Sequence, residues 1–167
     1  MSFITPRWQD VSKDVCVALL VLPVAASCPS GWIKSTQSGT CIKLYQDKKS
    51  WTDARAACQA SGGDLVKIVD DSMNEFIWGQ VAADSGQAYW MGLHDLNGEG
   101  KFEWLNETNG VMYTNWDIGQ PNNLDSQMHS NGQDCVEIGN SLVTPKRWND
   151  MDCDTTSKFI CEKSTTG

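Results

Sequence analysis

The sequence predicts a single exported α+β domain cross-linked by disulfides. Three observations point to this fold class: helical patterns occur early in the chain, short strand patterns dominate its later part, and six cysteines remain after an N-terminal export signal. A length of 167 residues fits one domain, and 40% hydrophobic residues with eight Trp are enough for a packed core. No repeat, low-complexity tract or linker divides the chain.

Residues 1–27 have the layout of a secretory signal peptide. Arg7 and Lys13 precede an apolar run, Val15–Ala26, which small residues follow. The run is shorter than the roughly 20 apolar residues of a transmembrane helix. We therefore expect cleavage at its end, no membrane span, and a secreted, extracellular domain over residues 28–167. The alternative interpretation is an uncleaved buried or interfacial helix.

The remaining elements follow in order. The stretch "GWIKSTQSGTCIKLYQ" alternates polar and apolar residues around a Ser-Gly turn and predicts a hairpin. "SWTDARAACQASGG" predicts a helix with Ser50 as N-cap that stops at Gly62. "DSMNEFIWGQVAA" predicts a second helix with Ser72 as N-cap and Glu75 at capping-box spacing.

Strand patterns appear from Ala88 onward, in "AYWMGL", "KFEW", "CVEI" and "KFICE". Between them, Leu96–Gly132 is longer than most loops of a compact domain, and such loops are usually functional or disordered. The Trp residues within it favour order. The sequon "NET" at Asn106 predicts a glycosylated surface turn.

The charge and the motifs of the sequence exclude several classes of function. A net charge of −8 without a Lys/Arg run excludes the electrostatic footprint of a nucleic-acid or anionic-membrane binder, and leaves divalent cations as candidate partners. His94 and His129 are isolated, and no nucleophile motif occurs, so we expect the protein not to be an enzyme.

Removal of the signal peptide removes Cys16, and the absence of a C-x-x-C pair argues against a zinc site. Six cysteines allow 15 pairings, which spacing leaves open; they are Cys28, Cys41, Cys58, Cys135, Cys153 and Cys161.

Five motifs and the six cysteines together resemble the C-type lectin-like domain, from Cys28 to Glu162. The motifs are "YWMGL" at 89–93, "QPN" at 120–122, "DCVEI" at 134–138, "WND" at 148–150 and a closing "FICE". The resemblance implies a double-looped α+β fold in which two helices flank small antiparallel sheets. It also implies the bridges Cys28–Cys41, Cys58–Cys161 and Cys135–Cys153, the first being typical of the long form, and a core role for Trp90, Trp104 and Trp148.

The resemblance further implies a calcium site that also binds the sugar. Sugar-binding members hold one calcium with the side chains flanking a cis proline, an acid before "DC", and the Asn and Asp of "WND". Amide carbonyls suit calcium geometrically, but ligand charge tunes its affinity. Only one of the five positions here is acidic, so we expect a weak site, with Asp125 as a candidate replacement acid. The five positions are Gln120, Asn122, Gln133, Asn149 and Asp150.

An accessory calcium position is better supplied with acids. The resemblance assigns it to Asp95, Glu99, Asn123 and Asp134, although Asp, Asn and Gly are also ordinary turn residues. Sugar specificity stays open, because "QPN" combines the Gln of galactose-type members with the Asn of mannose-type members. Leu124 lies near the position where galactose binders use Trp.

These observations predict a secreted, calcium-dependent, carbohydrate-binding lectin, either a soluble glycan recogniser or an agglutinin, with a role in innate defence suggested by the family. An amide whose oxygen faces the metal can only donate toward the sugar, so we expect weak or relaxed sugar binding. An oligomer could raise avidity. The alternative is a calcium-independent domain of the same fold that recognises protein or another surface such as ice.

Overall fold

The computed structural model describes residues 27–84, 86–107, 109–124, 132–139, 144 and 146–166. The expected signal peptide lies outside these residues, except for Ser27, whose backbone pairs with Thr166. Among the described residues, no helix has the length and apolar character needed to cross a membrane.

Two helices and eight strands occur in the described part of the chain. Their order is β1 (Ile33–Lys34), β2 (Thr40–Lys49), α1 (Trp51–Ala60), β3 (Asp64–Leu65), α2 (Asp71–Val81), β4 (Tyr89–His94), β5 (Glu103–Trp104), β6 (Cys135–Ile138), β7 (Trp148–Met151) and β8 (Ser157–Ser164). The predicted hairpin is β1 and β2, with Ile33 opposite Ile42. The predicted α+β class is confirmed.

The strands form one mixed sheet in the order β1-β2-β8-β4-β6-β7, with β3 beside β8 and β5 beside β4. All pairs are antiparallel except β4 with β8, where Tyr89 lies opposite Lys158 and Trp90 opposite Phe159. This parallel pair connects the small antiparallel groups that the resemblance implies. Sequence patterns missed β3 and β7, which have only two and four residues.

The first helix begins as predicted, because the Ser50 side chain accepts the Asp53 N–H at 3.2 Å. The predicted N-cap of the second helix is wrong. Asp70 caps α2, its Oδ1 accepting the Met73 N–H at 2.7 Å, and Ser72 already lies in the first turn. Asp70 has an extended backbone and its negative charge favours the helix N-terminus, which explains the earlier start.

Three disulfides join Cys28 to Cys41, Cys58 to Cys161, and Cys135 to Cys153. This is the pairing that the resemblance implies. The Cys58–Cys161 bridge spans 103 residues and holds α1 against β8. In the chain-entropy description, a bridge over about 100 residues stabilises a fold by about 4 to 5 kcal/mol.

The three Trp residues expected in the core are there: Trp90 and Trp148 have no exposed surface, and Trp104 is 3% exposed. Trp148 is the centre of an aromatic cluster. Its ring meets those of Trp104, Tyr113 and Trp116 edge-on, with centroids 5.5 to 5.9 Å apart. All three partners lie within Leu96–Gly132, and two of them, Tyr113 and Trp116, follow β5. Aromatic packing therefore orders the part of this stretch that the structure describes.

Candidate cation and ligand site

Backbone hydrogen bonds attach the long loop to β7. The Trp148 N–H donates to the Asn115 carbonyl at 2.9 Å, and the Asp117 N–H donates to the Trp148 carbonyl at 2.8 Å. A turn then brings the Gln120 N–H to the Asp117 carbonyl at 3.0 Å. The peptide bond that follows, Gln120–Pro121, is cis, as the resemblance implies. The chain is thereby brought back toward the end of β7, where Asp150 lies.

Asp150 fixes the loop beyond the cis proline. Its side chain has no exposed surface, and its carboxylate accepts the backbone N–H groups of Asn122 at 2.9 Å and Asn123 at 2.7 Å. Hydrogen bonds from N–H groups to a buried carboxylate are charge-assisted and stronger than neutral ones. Asp150 is therefore a structural anchor of the loop as well as the one acid among the five candidate calcium ligands.

The amide oxygens of this region converge on backbone donors. Asn122 Oδ1 and Gln133 Oε1 both accept the Leu124 N–H, at 3.0 and 3.1 Å. Asn123 Oδ1 accepts the Gln133 N–H at 2.6 Å. Gln120 Oε1 is different, since it is buried and accepts no hydrogen bond from any described residue. One buried carbonyl oxygen of the candidate site thus lacks a partner, and buried polar atoms rarely do.

Asn149 stands apart from this network. Its Nδ2 donates to Glu137 Oε1 at 3.4 Å, across the β6/β7 pair in which the two residues face each other. The structure thus connects Asn122, Gln133 and Asp150 through one hydrogen-bonded loop, while the Asn149 amide nitrogen bonds elsewhere. The proposed replacement acid Asp125 lies outside the described residues.

The accessory position is a compact cluster of acids. One carboxylate oxygen from each of Asp95, Glu99 and Asp134 lies within 4.8 Å of the other two. Asp95 is 3% exposed, its Oδ2 accepts the Gly100 N–H at 2.8 Å, and its Oδ1 is buried without a hydrogen-bond partner among the described residues. The Asp95 N–H donates to the Asp134 carbonyl at 3.1 Å, which fixes the two backbones together.

The negative charges of this cluster repel one another. Burial raises the pKa of Asp95, and the negative charges of Glu99 and Asp134 raise it further. Burial also raises the pKa of Asp134, with contributions from Glu99 and Asp152. A raised carboxyl pKa means that the ionised form is disfavoured in the folded protein. A bound divalent cation would reverse this penalty, and carboxylate oxygens are the ligands that calcium prefers.

Asn123 and Gly132 connect the two positions. Asn123 follows the Asp150-bound segment and receives the N–H of Gln133, the residue directly before Asp134. Gly132 has φ +79°, and a Cβ there would lie 2.2 Å from Asn123 Oδ1. Glycine suits this position, because any other residue would adopt an unfavourable backbone conformation and would displace the Asn123 amide. Sequence reasoning missed Gly132, since a glycine in a polar loop gives no sign of what packs against it.

Exposed apolar side chains flank the site. Ile118 is 91% exposed, two residues before Gln120, and Leu124 is 62% exposed, two residues after Asn122. Sequence reasoning noted Leu124 but not Ile118. The sequence does contain a signal for both residues, because each is an apolar residue within a Gly/Asn-rich stretch.

Residues 47–163 match the sequence profile described as the lectin C-type domain. The chain belongs to the C-type lectin domain family. A perlucin-like protein of Mytilus galloprovincialis is 36% identical over 138 residues, which cover 81% of this chain and 82% of that protein. Human C-type mannose receptor 2 is 33% identical over 141 residues, but this chain spans only 9% of its length. The family is one of lectins and receptors rather than enzymes.

Solved structures share this lectin fold. The mouse scavenger receptor C-type lectin carbohydrate-recognition domain is 30% identical, with a TM-score of 0.74 over 84% of this chain and all of that chain. A calcium-independent type II antifreeze protein is 23% identical, with a TM-score of 0.70 over 87% of this chain. At that identity the second likeness concerns the fold alone.

Proposed function

We propose that this C-type lectin domain binds carbohydrate with the help of calcium. Asp95, Glu99, Asn123 and Asp134 would hold one ion, which braces the long loop. The five-residue site at its tip would hold a second ion more weakly and present it to the sugar; its residues are Gln120, Asn122, Gln133, Asn149 and Asp150.

The observation that carries the proposal is a pair of buried oxygens without hydrogen-bond partners among the described residues. Gln120 Oε1 belongs to the sugar-binding position and Asp95 Oδ1 to the accessory position. An unsatisfied buried polar atom costs about 1 to 3 kcal/mol. Coordination of a cation by these oxygens would remove that cost, and both are hard oxygen ligands of the kind that calcium takes.

The residues also explain a weak, relaxed sugar contact. When bound, the calcium supplies the positive charge that attracts a pair of neighbouring sugar hydroxyls. Amide nitrogens of Gln120, Asn122 and Gln133 would donate hydrogen bonds to the sugar if their oxygens faced the ion. For Asn122 and Gln133 these are the oxygens that accept the Leu124 N–H. Asp150 already accepts two backbone N–H groups, so few carboxylate lone pairs remain for sugar hydroxyls. Exposed Ile118 and Leu124 would supply apolar contact with the faces of the sugar ring.

A calcium titration by calorimetry tests this function. The wild-type domain should bind one ion tightly and a second one weakly, and Gln133→Glu should tighten the weak event about tenfold, since it adds a charged ligand. Asp150→Ala should remove the weak event and, because Asp150 also anchors the Asn123 backbone, weaken the tight one. Asp154→Ala, which removes an exposed acid of the neighbouring turn, is the matched control and should change neither event. If the weak event is insensitive to both site substitutions, the calcium-dependent lectin mechanism is wrong.

A second candidate function is recognition of protein or another surface without calcium. It is favoured by the hydrogen bonds from the Leu124 and Gln133 N–H groups, which satisfy three amide oxygens of the site without any cation. Capture on immobilised glycans separates the two functions. Retention that chelator reverses supports the lectin, whereas binding that survives chelator supports the alternative.

The proposed setting is extracellular. Three disulfides favour an oxidising compartment, and secretion as a soluble agglutinin with a defence role follows the family expectation. A weak single site would gain from clustering, so we propose that the domain acts in an oligomer or alongside further domains.

A further inference from the structure

A groove of about 920 Å³ is lined by none of the nine candidate cation residues. It is bounded by β3, by the C-terminal end of β8 and by the segment after β5. Asp64, Leu65, Lys67, Val69, Asn106 and Glu162 are among its lining residues. The proposed lectin function uses none of them.

Asn106 occupies the edge of this groove. It has φ 61°, its side chain is exposed, and its Nδ2 donates to Asp64 Oδ2 at 3.0 Å. A second cavity of about 650 Å³ also borders Asn106 but is not lined by Asp64. The hydrogen bond holds the Asn106 amide nitrogen beside Asp64, which lines the larger groove and also accepts a hydrogen bond from Arg55 at 3.4 Å. This nitrogen is the atom to which an N-linked glycan is attached in an Asn-x-Thr sequon, here Asn106 to Thr108.

The groove offers surface that suits an N-acetylhexosamine. Val69 is 46% exposed and supplies an apolar patch for a sugar ring or an acetamide methyl group. Burial raises the pKa of Glu162 to about 7, and the positive charge of Lys67 opposes that shift. Both side chains line the groove and could form hydrogen bonds with a sugar there. Hydrogen bonds made there are stronger than on open surface. Hydroxyl groups line the remaining edge, from Ser38, Thr40, Ser164, Thr165 and Thr166.

We propose that Asn106 carries an N-linked glycan whose first N-acetylglucosamine is seated in this groove over Val69. In the attachment step, Asn106 Nδ2 forms a bond to C1 of the sugar and gives up one proton to a base of the transferase. The bond between C1 and the phosphate oxygen of a lipid-diphosphate sugar donor breaks, and the lipid diphosphate leaves with the bonding electrons. The substituted amide keeps one N–H, which can still donate to Asp64.

The first test compares glycosylated and unglycosylated protein. The full chain, behind an added signal peptide, is secreted from insect cells and its Asn106 occupancy is read by intact mass. Thr108→Ala removes the sequon but keeps the Asn106 side chain. We expect the occupied protein to have a Tm roughly 3 °C higher than Thr108→Ala, and trimming to a single N-acetylglucosamine should preserve this difference. An unoccupied Asn106, or occupancy without a Tm difference, overturns the proposal.

The second test locates the sugar. Val69→Ser removes the apolar patch of the groove, whereas Leu96→Ser removes a side chain of similar exposure, 49%, that lines the other cavity. The glycan-dependent Tm difference should disappear in Val69→Ser and persist in Leu96→Ser. The reverse result would place the sugar in the other cavity, and persistence in both variants would mean that it contacts neither; each result contradicts the proposed seat.

Discussion

The two candidate cation positions are neighbours along one loop, but they differ in the charge of their candidate ligands. At Asp95, Glu99 and Asp134 three carboxylates lie within 4.8 Å of one another. Burial, with a further contribution from neighbouring negative charges, raises the pKa of Asp95 and of Asp134. At the tip of the loop, amide oxygens of Asn122 and Gln133 are satisfied by a backbone N–H. A bound cation would therefore relieve charge repulsion in the acidic cluster, whereas at the amide site it would mainly satisfy Gln120 Oε1.

From this difference we expect the charge of the ligands to decide how strongly each position depends on an ion. Removing calcium should leave unrelieved repulsion among the acids of the cluster, whereas at the amide site it should leave Gln120 Oε1 as a buried oxygen without a partner among the described residues. Calcium that binds the accessory position would order Asn123 and Gln133, which prepares the weaker position for its own ion. We therefore expect sequential binding, with the accessory position filled first.

The largest expected effect is the loss of calcium-dependent stability on Asp95→Asn. Saturation of the wild type at about 100 times the dissociation constant should stabilise the fold by about 2.7 kcal/mol, which raises Tm by roughly 5 to 10 °C. Differential scanning calorimetry with calcium and with chelator measures the shift. Asp95→Asn should abolish it while raising the Tm in chelator, because one repelling charge is gone.

The control for this substitution is Asp154→Asn, which removes an exposed acid outside the cluster. Its calcium-dependent shift should equal that of the wild type. An Asp95→Asn protein that keeps the full shift would show that the acidic cluster is not the stabilising position, and the contrast between the two positions would fail.

A smaller effect is expected from Gly132→Ala, which tests the connection between the positions. The added Cβ would lie 2.2 Å from Asn123 Oδ1, and φ +79° is unfavourable for alanine. We expect a loss of about 2 kcal/mol in unfolding free energy and weaker calcium binding at both positions. Urea denaturation and calorimetric titration measure these two quantities.

Gly110→Ala is the matched control, because Gly110 has φ +77° but nothing within 4 Å of an added Cβ. It carries the backbone cost, about 1 kcal/mol, without the collision. Equal losses of calcium affinity in the two variants would show that the Asn123 contact does not connect the positions.

The smallest effect is a pH dependence of the calcium-free protein. The pKa values of Asp95 and Asp134 are raised above 3.8, so the folded state binds more protons than the unfolded state between 3.8 and the raised values. Unfolding free energy should therefore fall as pH rises through that window, and calcium affinity should rise over the same window. Chelated protein denatured at a series of pH values measures the first slope. A slope that is unchanged by Asp95→Asn would assign it to other groups.

Much of the fold was readable from the sequence, for identifiable reasons. The hairpin and α1 follow from alternation, from Ser50 and from Gly62, which act locally. The Ser72 cap was wrong because Asp70, two residues earlier, has an extended backbone and a side chain that accepts the Met73 N–H, so the helix begins before the Ser-x-x-Glu pattern. Strand β7 was missed because it has only four residues and its sequence "WNDM" does not alternate apolar and polar residues; its pairing with β6 shows it as a strand.

For the candidate site, too, some features could be predicted from the sequence and others could not. The residue types at the two positions, and the shortage of acids at one of them, could be read from the sequence through its resemblance to the C-type lectin-like domain. The partners of those residues could not. The two N–H groups that Asp150 accepts, the Asn123 contact over Gly132 and the bond from Asn149 to Glu137 all depend on chain segments brought together by folding.

The sequence by itself determined the class of domain, the six cysteines that form bridges, and the small number of acidic residues at the loop-tip site. These features depend on composition and on the order of residues along the chain, so they need no tertiary information. The tertiary structure decided which oxygens are satisfied and which are not. Burial of Gln120 Oε1 and Asp95 Oδ1 without hydrogen-bond partners among the described residues arises only when the loop packs against β7 and β4. The free energy of a polar atom depends on what surrounds it, and only the fold sets those surroundings.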